Sequence, residues 1–415
     1  MTSLTQTVEA RLDVRAWPGV SGRLLAADPY AVEGAAEYAA RGGYRDAEDL
    51  PDRLAGAGLR GRGGAGFPVA RKLRAVLESP GPRVVVANGE EGEPASVKDR
   101  YLMLHRPHLV LDGLRLLARE ISAARAVVYV SDPGVENVLL RAVDDTRVLW
   151  EVPVEVFRVA HSYVAGEESA LVRAIDGGPA LPTAKPPRPY EKGVGGAPTL
   201  VQNVETLAHV ALLANDPAAG ETFLATVTGV PTSSTTLGSL VEVPYGVPLR
   251  ELVPAGLRGV SAGGLFGGLL AAPRDLRLSH EAFRAVGSGL GCGSFVLLGD
   301  GDCPVDAAAD AVTYLAAESA RQCGVCINAT AGMAEVLGAL RLGATTADDV
   351  ARMEGWTQRV PGRGACALVD AAARMAASLL RQFPAEVADH LARPCSRCAA
   401  LGPLPRHTRN HLEIS

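Results

Sequence analysis

Two pairs of cysteines stand at the C-x-x-C spacing typical of metal-binding and redox-active thiols. They are Cys323 with Cys326 and Cys395 with Cys398, four of the seven cysteines in the chain. In a cytosolic protein such pairs favour a metal or redox site over a disulfide. Ala320 stands three residues before Cys323, where a cluster-binding C-x-x-C-x-x-C run has its first thiolate. The pattern leaves open a metal site, a site that has lost one ligand, or two buried thiols.

A glycine-rich segment, GRGGAGF at residues 61–67, directly precedes the helical run VARKLRAVLE. Glycines let a backbone approach a flat or phosphorylated ligand, and a helix N-terminus presents free N–H groups to an anion. Lys72 lies in the second turn of that helix, where it could reach a phosphate. The segment predicts a cofactor loop, and a mobile surface turn is the alternative.

Acidic and amide side chains follow the strand-like run RVVVAN. Asn88, Glu90, Glu91 and Glu93 crowd the end of that run, and α/β proteins bind ligands at the carboxyl ends of their strands. Neighbouring carboxylates repel one another unless a ligand or a cation organises them. We therefore predict a ligand-binding loop here rather than a solvated acidic turn.

Strand and helix patterns alternate around these segments. β-Branched runs at 83–88, 126–131 and 154–160 are separated by helical patterns such as LVLDGLRLLAREI, which predicts parallel strands with crossover helices. Short strand patterns follow, and then an Ala- and Leu-rich helical region. The expected regions are a helical N-terminal segment with the glycine loop (1–80), an α/β domain (81–222), a β-grasp-like domain (223–300), a helical bundle (301–392) and a cysteine-containing tail (393–415).

The composition and net charge limit which classes of protein this chain can belong to. A chain of 415 residues with 47% apolar residues can form several packed domains. Its formal net charge of -5 argues against nucleic acid as a partner, because phosphate backbones need a basic face. No run approaches the roughly 18 apolar residues of a membrane span, and the N-terminus has no signal-peptide pattern. We expect a cytoplasmic protein with no direct membrane span.

Five motifs, in order, carry a resemblance to a known family. They are GRGGAGFP, NGEEGEPASVKDR, GEES, KPP and PTLVQNVET. Together they resemble the flavoprotein (51 kDa, FMN- and NADH-binding) subunit of respiratory complex I and its relatives, of which this chain would be a divergent, stand-alone member. The resemblance implies an α/β fold with a Rossmann-like FMN domain, a β-grasp (soluble-ligand-binding, ubiquitin-like) domain and a C-terminal helical bundle.

The resemblance assigns cofactor roles to a set of residues. It implies that FMN and its phosphate are bound by Gly61, Arg62, Gly63, Gly64, Gly66, Lys72, Asn88, Glu90, Glu91, Tyr163, Gly166, Glu167, Glu168, Gln202, Asn203 and Thr206. Amides suit a flavin because its ring presents paired hydrogen-bond donors and acceptors. Glu93 matches the glutamate beside the reactive edge of the ring and is the candidate catalytic residue. Glu90 stands where the family usually has Asp, and Gln202 where it has Asn.

The nicotinamide side departs from the family pattern. Phe67, Lys185 and Arg188 stand at positions that contact the dinucleotide in the family. Two phenylalanines sandwich the adenine there, but Ala75 and Arg188 occupy their positions here. Arg188 could stack on the adenine, or bind a 2′-phosphate and favour NADPH. The alternative is a solvated Arg188 in a site that no longer binds a dinucleotide.

The family holds an iron–sulfur cluster with four cysteines, of which this chain retains the positions of Cys323, Cys326 and Cys366. Ala320 replaces the fourth. Three thiolates can hold a 3Fe–4S cluster, or a 4Fe–4S cluster whose fourth iron takes another ligand. Three interpretations stay open: Cys395 or Cys398 completes the cluster, one iron is open or bound by another ligand, or no cluster remains. Cys292 and Cys303 are expected to be packed small residues.

The resemblance implies FMN-dependent transfer of electrons from a two-electron donor, NAD(P)H, through a possible iron–sulfur cluster. A partner redox protein such as ferredoxin or an iron–sulfur subunit would accept them. The alternative is a non-catalytic docking or structural subunit of a redox complex, with degenerate nucleotide and cluster sites. Ala75, Arg188 and Ala320 favour the alternative, whereas the retained flavin residues favour the enzyme.

Overall fold

The computed structural model describes residues 11–21, 23–216, 219, 222–233, 236–271 and 275–405. The predicted N-terminal segment and tail are therefore described only from residue 11 and up to residue 405. Over these residues the chain forms a mixed α/β fold with two β-sheets and a group of helices that packs beside them.

The N-terminal region contains a strand as well as helices. Its elements are β1 (Arg11–Ala16), α1 (Ala35–Ala40), α2 (Leu50–Gly56) and α3 (Val69–Glu78). β1 pairs in parallel with residues 236–242 of a later strand, so the segment expected to be helical also contains one strand. The physical reason is visible in RLDVRA, where Leu12 and Val14 alternate with polar residues and are buried.

A four-stranded parallel sheet forms the centre of the second region. Its strands are β2 (Arg83–Asn88), β3 (Ala123–Val130), β4 (Val154–Arg158) and β5 (Thr199–Asn203), in the order β4-β3-β2-β5. The accompanying helices are α4 (Lys98–His105), α5 (Pro107–Glu120), α6 (Pro133–Asp145), α7 (Glu168–Ile175) and α8 (Val204–Asn215). The predicted strands at 83–88, 126–131 and 154–160 are confirmed. The continuous apolar runs of β2 and β3 suit strands covered on both faces, whereas β4 is a partly exposed edge strand.

The register of this sheet sets the position of the candidate site. β2 and β5 are neighbours, with Asn88 beside Asn203 and Ala87 beside Gln202. Both strands end at this level, so their amide side chains and the acidic loop that follows β2 share one edge of the sheet. This is the edge at which parallel α/β sheets bind ligands.

The second sheet is mixed and has six strands. Its further elements are β6 (Thr222–Ser233), β7 (Thr236–Pro244), α9 (Leu249–Leu252), β8 (Gly259–Ala262), β9 (Leu269–Ala271), α10 (His280–Ala285) and β10 (Ser294–Leu298). The strand order is β1-β7-β6-β10-β8-β9. β1 thus adds an edge strand from the far end of the sequence to a sheet that is otherwise local.

The C-terminal region is helical. It consists of α11 (Pro304–Ala317), α12 (Gly324–Arg341), α13 (Ala347–Arg359), α14 (Leu368–Gln382), α15 (Pro384–Ala392) and α16 (Ser396–Ala400). Its small, apolar side chains form one buried cluster, as the Ala- and Leu-rich pattern predicts. Within the described ranges, none of the helices combines the length and the apolar character that a membrane crossing requires.

Candidate functional site

The glycine loop closes on itself and lies against the carboxyl edge of the parallel sheet. Gly61 N–H donates to the carbonyl of Phe67 at 2.9 Å, and Arg62 N–H donates to Thr206 Oγ1 at 2.9 Å. Gly66 adopts φ +61°, and a Cβ there would come within 3.0 Å of His280. Position 66 therefore requires glycine, because its φ is positive and the His280 ring leaves little room for a side chain.

Arg62 ties this loop to the second sheet. Its guanidinium donates to the carbonyl of Thr222 at 3.2 Å and lies over the ring of Tyr245, 4.8 Å from the ring centre. Burial lowers the pKa of Arg62 to about 10, against the opposing effect of Glu205. These contacts favour a positioning role for the Arg62 side chain rather than direct contact with a cofactor.

The predicted lysines pair with the predicted glutamates. Lys72 Nζ bonds to Glu168 and also donates to the carbonyl of Val201 at 3.2 Å. Lys185 Nζ bonds to Glu167, whose other carboxylate oxygen accepts from the first N–H groups of α7. The structure thus brings the glycine-loop helix and the GEES segment together, as one ligand site requires.

The acidic loop carries an unsatisfied carboxylate oxygen. Glu90 is buried, and its Oε1 lies 2.6 Å from His161 Nδ1, while its Oε2 has no hydrogen-bond partner among the described residues. Asn88 Nδ2 donates to the carbonyl of Gly166 at 2.8 Å. A Cβ at Gly166 would meet the Glu90 carbonyl at 2.9 Å, so the two loops are in close contact.

Glu91 and Glu93 are held by protein groups. Glu91 accepts from Asp99 N–H and Arg100 N–H, both at 3.1 Å, and therefore caps α4. This arrangement favours a positioning role for Glu91 rather than direct flavin contact. Glu93 Oε2 accepts from Leu265 N–H at 2.9 Å, which places the candidate catalytic carboxylate where the acidic loop meets the second sheet.

Residues at and just after the end of β5 form the remaining part of the candidate site. Gln202 is buried, and its Nε2 has no hydrogen-bond partner among the described residues. Asn203 Nδ2 donates to Asp99 at 2.7 Å. Thr206 is fully buried and accepts from the glycine loop. A Cβ at Gly63 would lie 3.3 Å from the Asn203 side chain, so the glycine loop passes directly over this edge.

His161 was not predicted from the sequence. It follows β4 at the same edge of the sheet, and this position is the only signal that distinguishes it from other histidines. Its bond to Glu90 orients one carboxylate oxygen and leaves the other for a ligand.

Two of the predicted dinucleotide residues, Phe67 and Arg188, are exposed, whereas Lys185 is partly buried. Phe67 is 39% exposed, and Arg71 lies over its ring at 5.7 Å. Arg188 is exposed and starts a turn in which its backbone bonds to Glu191. Ser79 contacts the carbonyls of both Ala75 and Tyr190, so the end of α3 that follows Ala75 meets the loop that follows Arg188.

Three predicted cluster cysteines lie in one part of the helical region. Cys323 precedes α12 and accepts from Ala365 N–H at 3.4 Å, next to Cys366. Cys326 Sγ lies 3.5 Å from Ser319 Oγ. Burial raises the pKa of both Cys326 and Cys366, so these thiols need a metal to stay ionised at neutral pH.

These cysteines lie directly against the candidate flavin loops. Tyr163 N–H donates to Glu318 Oε2 at 2.8 Å, and Gln322 Nε2 donates to the carbonyl of Pro182 at 2.7 Å. Lys185 Nζ also reaches the carbonyl of Ala365 at 3.5 Å. The loop before Cys323 and the loop before Cys366 therefore both contact the dinucleotide and flavin segments.

The tail cysteines lie elsewhere. The ligand atoms of Cys395 and Cys398 group with those of Cys303 and His390, all within 4.8 Å of one another. This placement argues against the interpretation in which a tail cysteine completes the cluster. It also changes the interpretation of Cys303, which the sequence suggested was only a packed residue.

Two regions of the chain, the one with the parallel sheet and the helical one, match models of known protein families. Residues 54–212 match the family model of the Nuo51 FMN-binding domain, and residues 306–390 match the NADH-ubiquinone oxidoreductase-F iron-sulfur binding region. The chain is 30% identical over 398 residues to the second F-type subunit of the NADH-quinone oxidoreductase of Rhizobium meliloti (strain 1021), covering 85% of this chain and 93% of that protein.

Two hydrogenase components are also similar. The chain is 29% identical over 350 residues to the HndC component of the NADP-reducing hydrogenase of Solidesulfovibrio fructosivorans, covering 77% of this chain and 71% of that one. A chain of an NAD+-reducing NiFe hydrogenase, solved in the H2-reduced state, superimposes with a TM-score of 0.75 at 27% identity. That superposition covers 88% of this chain and 68% of the hydrogenase chain.

Proposed function

Because this chain belongs to the family of the F-type (51 kDa, flavoprotein) subunits of NADH-quinone oxidoreductase, we propose that it oxidises NAD(P)H at a bound FMN. The electrons would leave through an iron–sulfur cluster to a partner redox protein. FMN supplies the chemistry that links a two-electron donor to one-electron acceptors. The residues of the chain bind the reactants, orient them and control the charge around them.

The unsatisfied polar atoms at the carboxyl edge of the parallel sheet carry this proposal. Glu90 Oε2 is a buried acceptor and Gln202 Nε2 a buried donor, and neither has a partner among the described residues. Buried polar groups are rarely left unpaired, because each costs about 1–3 kcal/mol. A flavin ring, which presents both donors and acceptors, suits such a pair.

We assign phosphate binding to Lys72 and to the backbone of the glycine loop. Lys72 is mostly buried and held by Glu168, whose side chain is 36% exposed and so can move toward solvent. When FMN binds, its phosphate would replace the Glu168 carboxylate as the partner of Lys72, so the charge of Lys72 would stay paired. Gly63 and Gly64 add N–H groups in a stretch where bulky side chains are absent.

Glu93 is the proposed catalytic carboxylate. Leu265 N–H holds one of its oxygens at 2.9 Å, which fixes the side chain between the acidic loop and the second sheet. A fixed negative charge beside the reacting edge would orient the positively charged nicotinamide product. Burial, and after it the charge of the nearby Glu93, raises the pKa of the Tyr163 hydroxyl well above the ordinary value, so Tyr163 stays neutral.

Cys323, Cys326 and Cys366 are the proposed cluster ligands. Three cysteine thiolates fit a 3Fe–4S cluster or a 4Fe–4S cluster with one non-cysteine ligand. Such a cluster supplies one-electron transfer. The contact of Tyr163 with Glu318 and of Lys185 with Ala365 places these thiols next to the proposed flavin loops.

The domain assignment follows from the same resemblance. We propose a Rossmann-like FMN domain around the parallel sheet, a β-grasp domain around the six-stranded sheet and an iron–sulfur domain in the helical region. The boundaries near residues 80, 222, 300 and 392 belong to this proposal. A ferredoxin or an iron–sulfur subunit is the proposed partner, docking on the helical region.

Restoring the missing aromatic pair is expected to strengthen dinucleotide binding. The double variant Ala75→Phe/Arg188→Phe should lower the KM for NADH by about 5- to 140-fold, since aromatic stacking contributes about 0.5–1.5 kcal/mol per pair, two pairs are restored, and each 1.4 kcal/mol is about tenfold in affinity. If Arg188 binds a 2′-phosphate, the same variant should lose its preference for NADPH over NADH. Steady-state kinetics with both nucleotides measures both effects, and Ala75→Leu controls for added apolar volume without a ring. An unchanged KM for both nucleotides would contradict this placement of the adenine.

The second candidate is a non-catalytic docking subunit of a redox complex. Ala320, Ala75 and Arg188 favour it, because each removes a group that the family uses for catalysis or binding. The two candidates differ in a simple experiment: oxidation of NADH and NADPH by the FMN-reconstituted protein with a one-electron dye as acceptor. If the chain is an enzyme, its turnover should depend on FMN and should be lower in the Glu93→Gln variant than in the wild type. FMN binding without any nucleotide oxidation would support the docking subunit instead.

A further inference from the structure

A closed set of three thiols and one imidazole lies at the junction of α11, α15 and the tail. The ligand atoms of Cys303, His390, Cys395 and Cys398 all lie within 4.8 Å of one another. Cys303 Sγ and Cys398 Sγ each lie 3.5 Å from His390 Nε2. A tetrahedral zinc ion, with Zn–S near 2.3 Å and Zn–N near 2.0–2.1 Å, separates sulfur from nitrogen by about 3.6 Å. The spacing of the side chains matches that geometry.

The imidazole of His390 is oriented for metal binding. Its Nδ1 lies 2.7 Å from the carbonyl oxygen of Glu386. A carbonyl oxygen can only accept, so Nδ1 carries the hydrogen and Nε2 presents its lone pair to the sulfurs. Such a hydrogen bond to the far nitrogen is the usual support of a metal-ligating histidine.

The thiols sit at positions that the local structure fixes. Cys303 directly precedes Pro304 at the start of α11, and Cys395 directly precedes α16. Cys398 N–H donates to Cys395 Sγ at 3.4 Å, so the C-x-x-C turn already curls around one sulfur. His390, Cys303 and Cys398 are each less than 5% exposed. Four protein ligands, three buried and Cys395 partly buried, describe a structural site with no open coordination position.

Three arginines, each paired with a carboxylate, hold this junction together. Arg258 donates to the Asp302 carbonyl at 2.8 Å and to Glu386 at 2.9 Å, so it links the residue before Cys303 to the helix of His390. Arg397 pairs with Asp302 at 3.3 Å. Arg341 donates to the carbonyls of Leu401 and Gly402 at 2.9 and 3.1 Å. The ligands are therefore placed by contacts that do not need the ion.

We propose that Cys303, His390, Cys395 and Cys398 bind one zinc ion, which fastens the C-terminal tail to the helical region. Ligand atoms this close together suit a single ion rather than a multi-iron cluster. None of the four is among the proposed cluster ligands Cys323, Cys326 and Cys366, so the site is independent of the proposed function. It would stabilise the folded chain without taking part in electron transfer.

Metal analysis of paired variants tests the proposal. The full-length protein is purified without a metal-affinity tag, and zinc and iron are measured in the same sample by mass spectrometry. We expect about one zinc per chain in the wild type, loss of zinc with retention of iron in Cys398→Ser, and loss of iron with retention of zinc in Cys323→Ser. Zinc that persists in Cys398→Ser, or that disappears in Cys323→Ser, would overturn the assignment.

Measurements on the wild type cover the case in which Cys398→Ser fails to fold. Zinc-edge X-ray absorption should show three sulfur ligands and one nitrogen ligand, and chelation should expose the bond after Arg397 to trypsin. The site is overturned by a wild type that contains no zinc and shows a disulfide among Cys303, Cys395 and Cys398. A single iron with a tetrahedral sulfur spectrum would equally overturn the zinc assignment.

Discussion

Replacement of Lys72 by alanine is expected to weaken FMN binding by about 10- to 100-fold. A hydrogen bond to a charged group contributes about 1.5–3 kcal/mol, and each 1.4 kcal/mol is about tenfold in affinity. Lys72 lies in α3 directly behind the glycine loop, and its side chain is only 13% exposed. Quenching of FMN fluorescence on titration with apoprotein measures the dissociation constant.

Riboflavin provides the decisive comparison for this variant because it lacks the phosphate. Lys72→Ala should bind riboflavin as the wild type does, since only the phosphate contact is lost. Arg74→Ala, an exposed change on the same helix, is the matched control and should bind FMN normally. An equal loss of FMN and riboflavin affinity would show that Lys72 supports the fold of the loop rather than the phosphate.

Replacement of Ala320 by cysteine is expected to convert the cluster site to four thiolate ligands. Ala320 is partly buried against the core of the helical region. The adjacent Ser319 places its hydroxyl 3.5 Å from Cys326 Sγ, so this segment already runs past a proposed ligand. The anaerobically purified variant should contain about four irons per chain and keep them in air. The wild type, with three thiolates, should lose iron in air.

Iron and sulfide analysis, with EPR spectra of the oxidised and reduced protein, measures this conversion. Ala320→Ser is the control, because a hydroxyl fits the same volume but is a poor ligand for iron. A gain of iron in Ala320→Cys but not in Ala320→Ser supports a site that lost one ligand. Identical iron content in all three proteins after exposure to air would contradict the assignment of Cys323, Cys326 and Cys366 as neighbours of position 320.

Local patterns in the sequence were enough to predict three of the four strands of the parallel sheet, but not β5. The run RVVVAN forms β2 with the predicted bounds, because a continuous β-branched run suits a strand buried on both faces. The strand end then places Asn88 beside the acidic loop. β1 was missed since its alternation extends over only six residues and its partner strand lies more than 200 residues away.

Contacts between distant segments could not be predicted in the same way. Cys303 and His390 are 87 residues apart, and the C-x-x-C spacing alone does not reveal which further ligands the tail meets. The sequence likewise did not indicate that Glu91 caps α4 or that His161 bonds to Glu90. These roles depend on contacts with backbone groups and between loops, and such contacts produce no recognisable residue spacing in the sequence.

The most direct test of the proposed function is an anaerobic titration of the reconstituted protein with NADH and NADPH, with flavin absorbance and EPR spectra recorded from one sample. Flavin, iron and sulfide are quantified first. The proposal predicts about one FMN per chain, bleaching of the flavin by at least one of the two nucleotides, and an iron–sulfur signal that appears as the flavin is reduced. A protein that binds no FMN after reconstitution, or whose bound FMN neither nucleotide reduces, would contradict it.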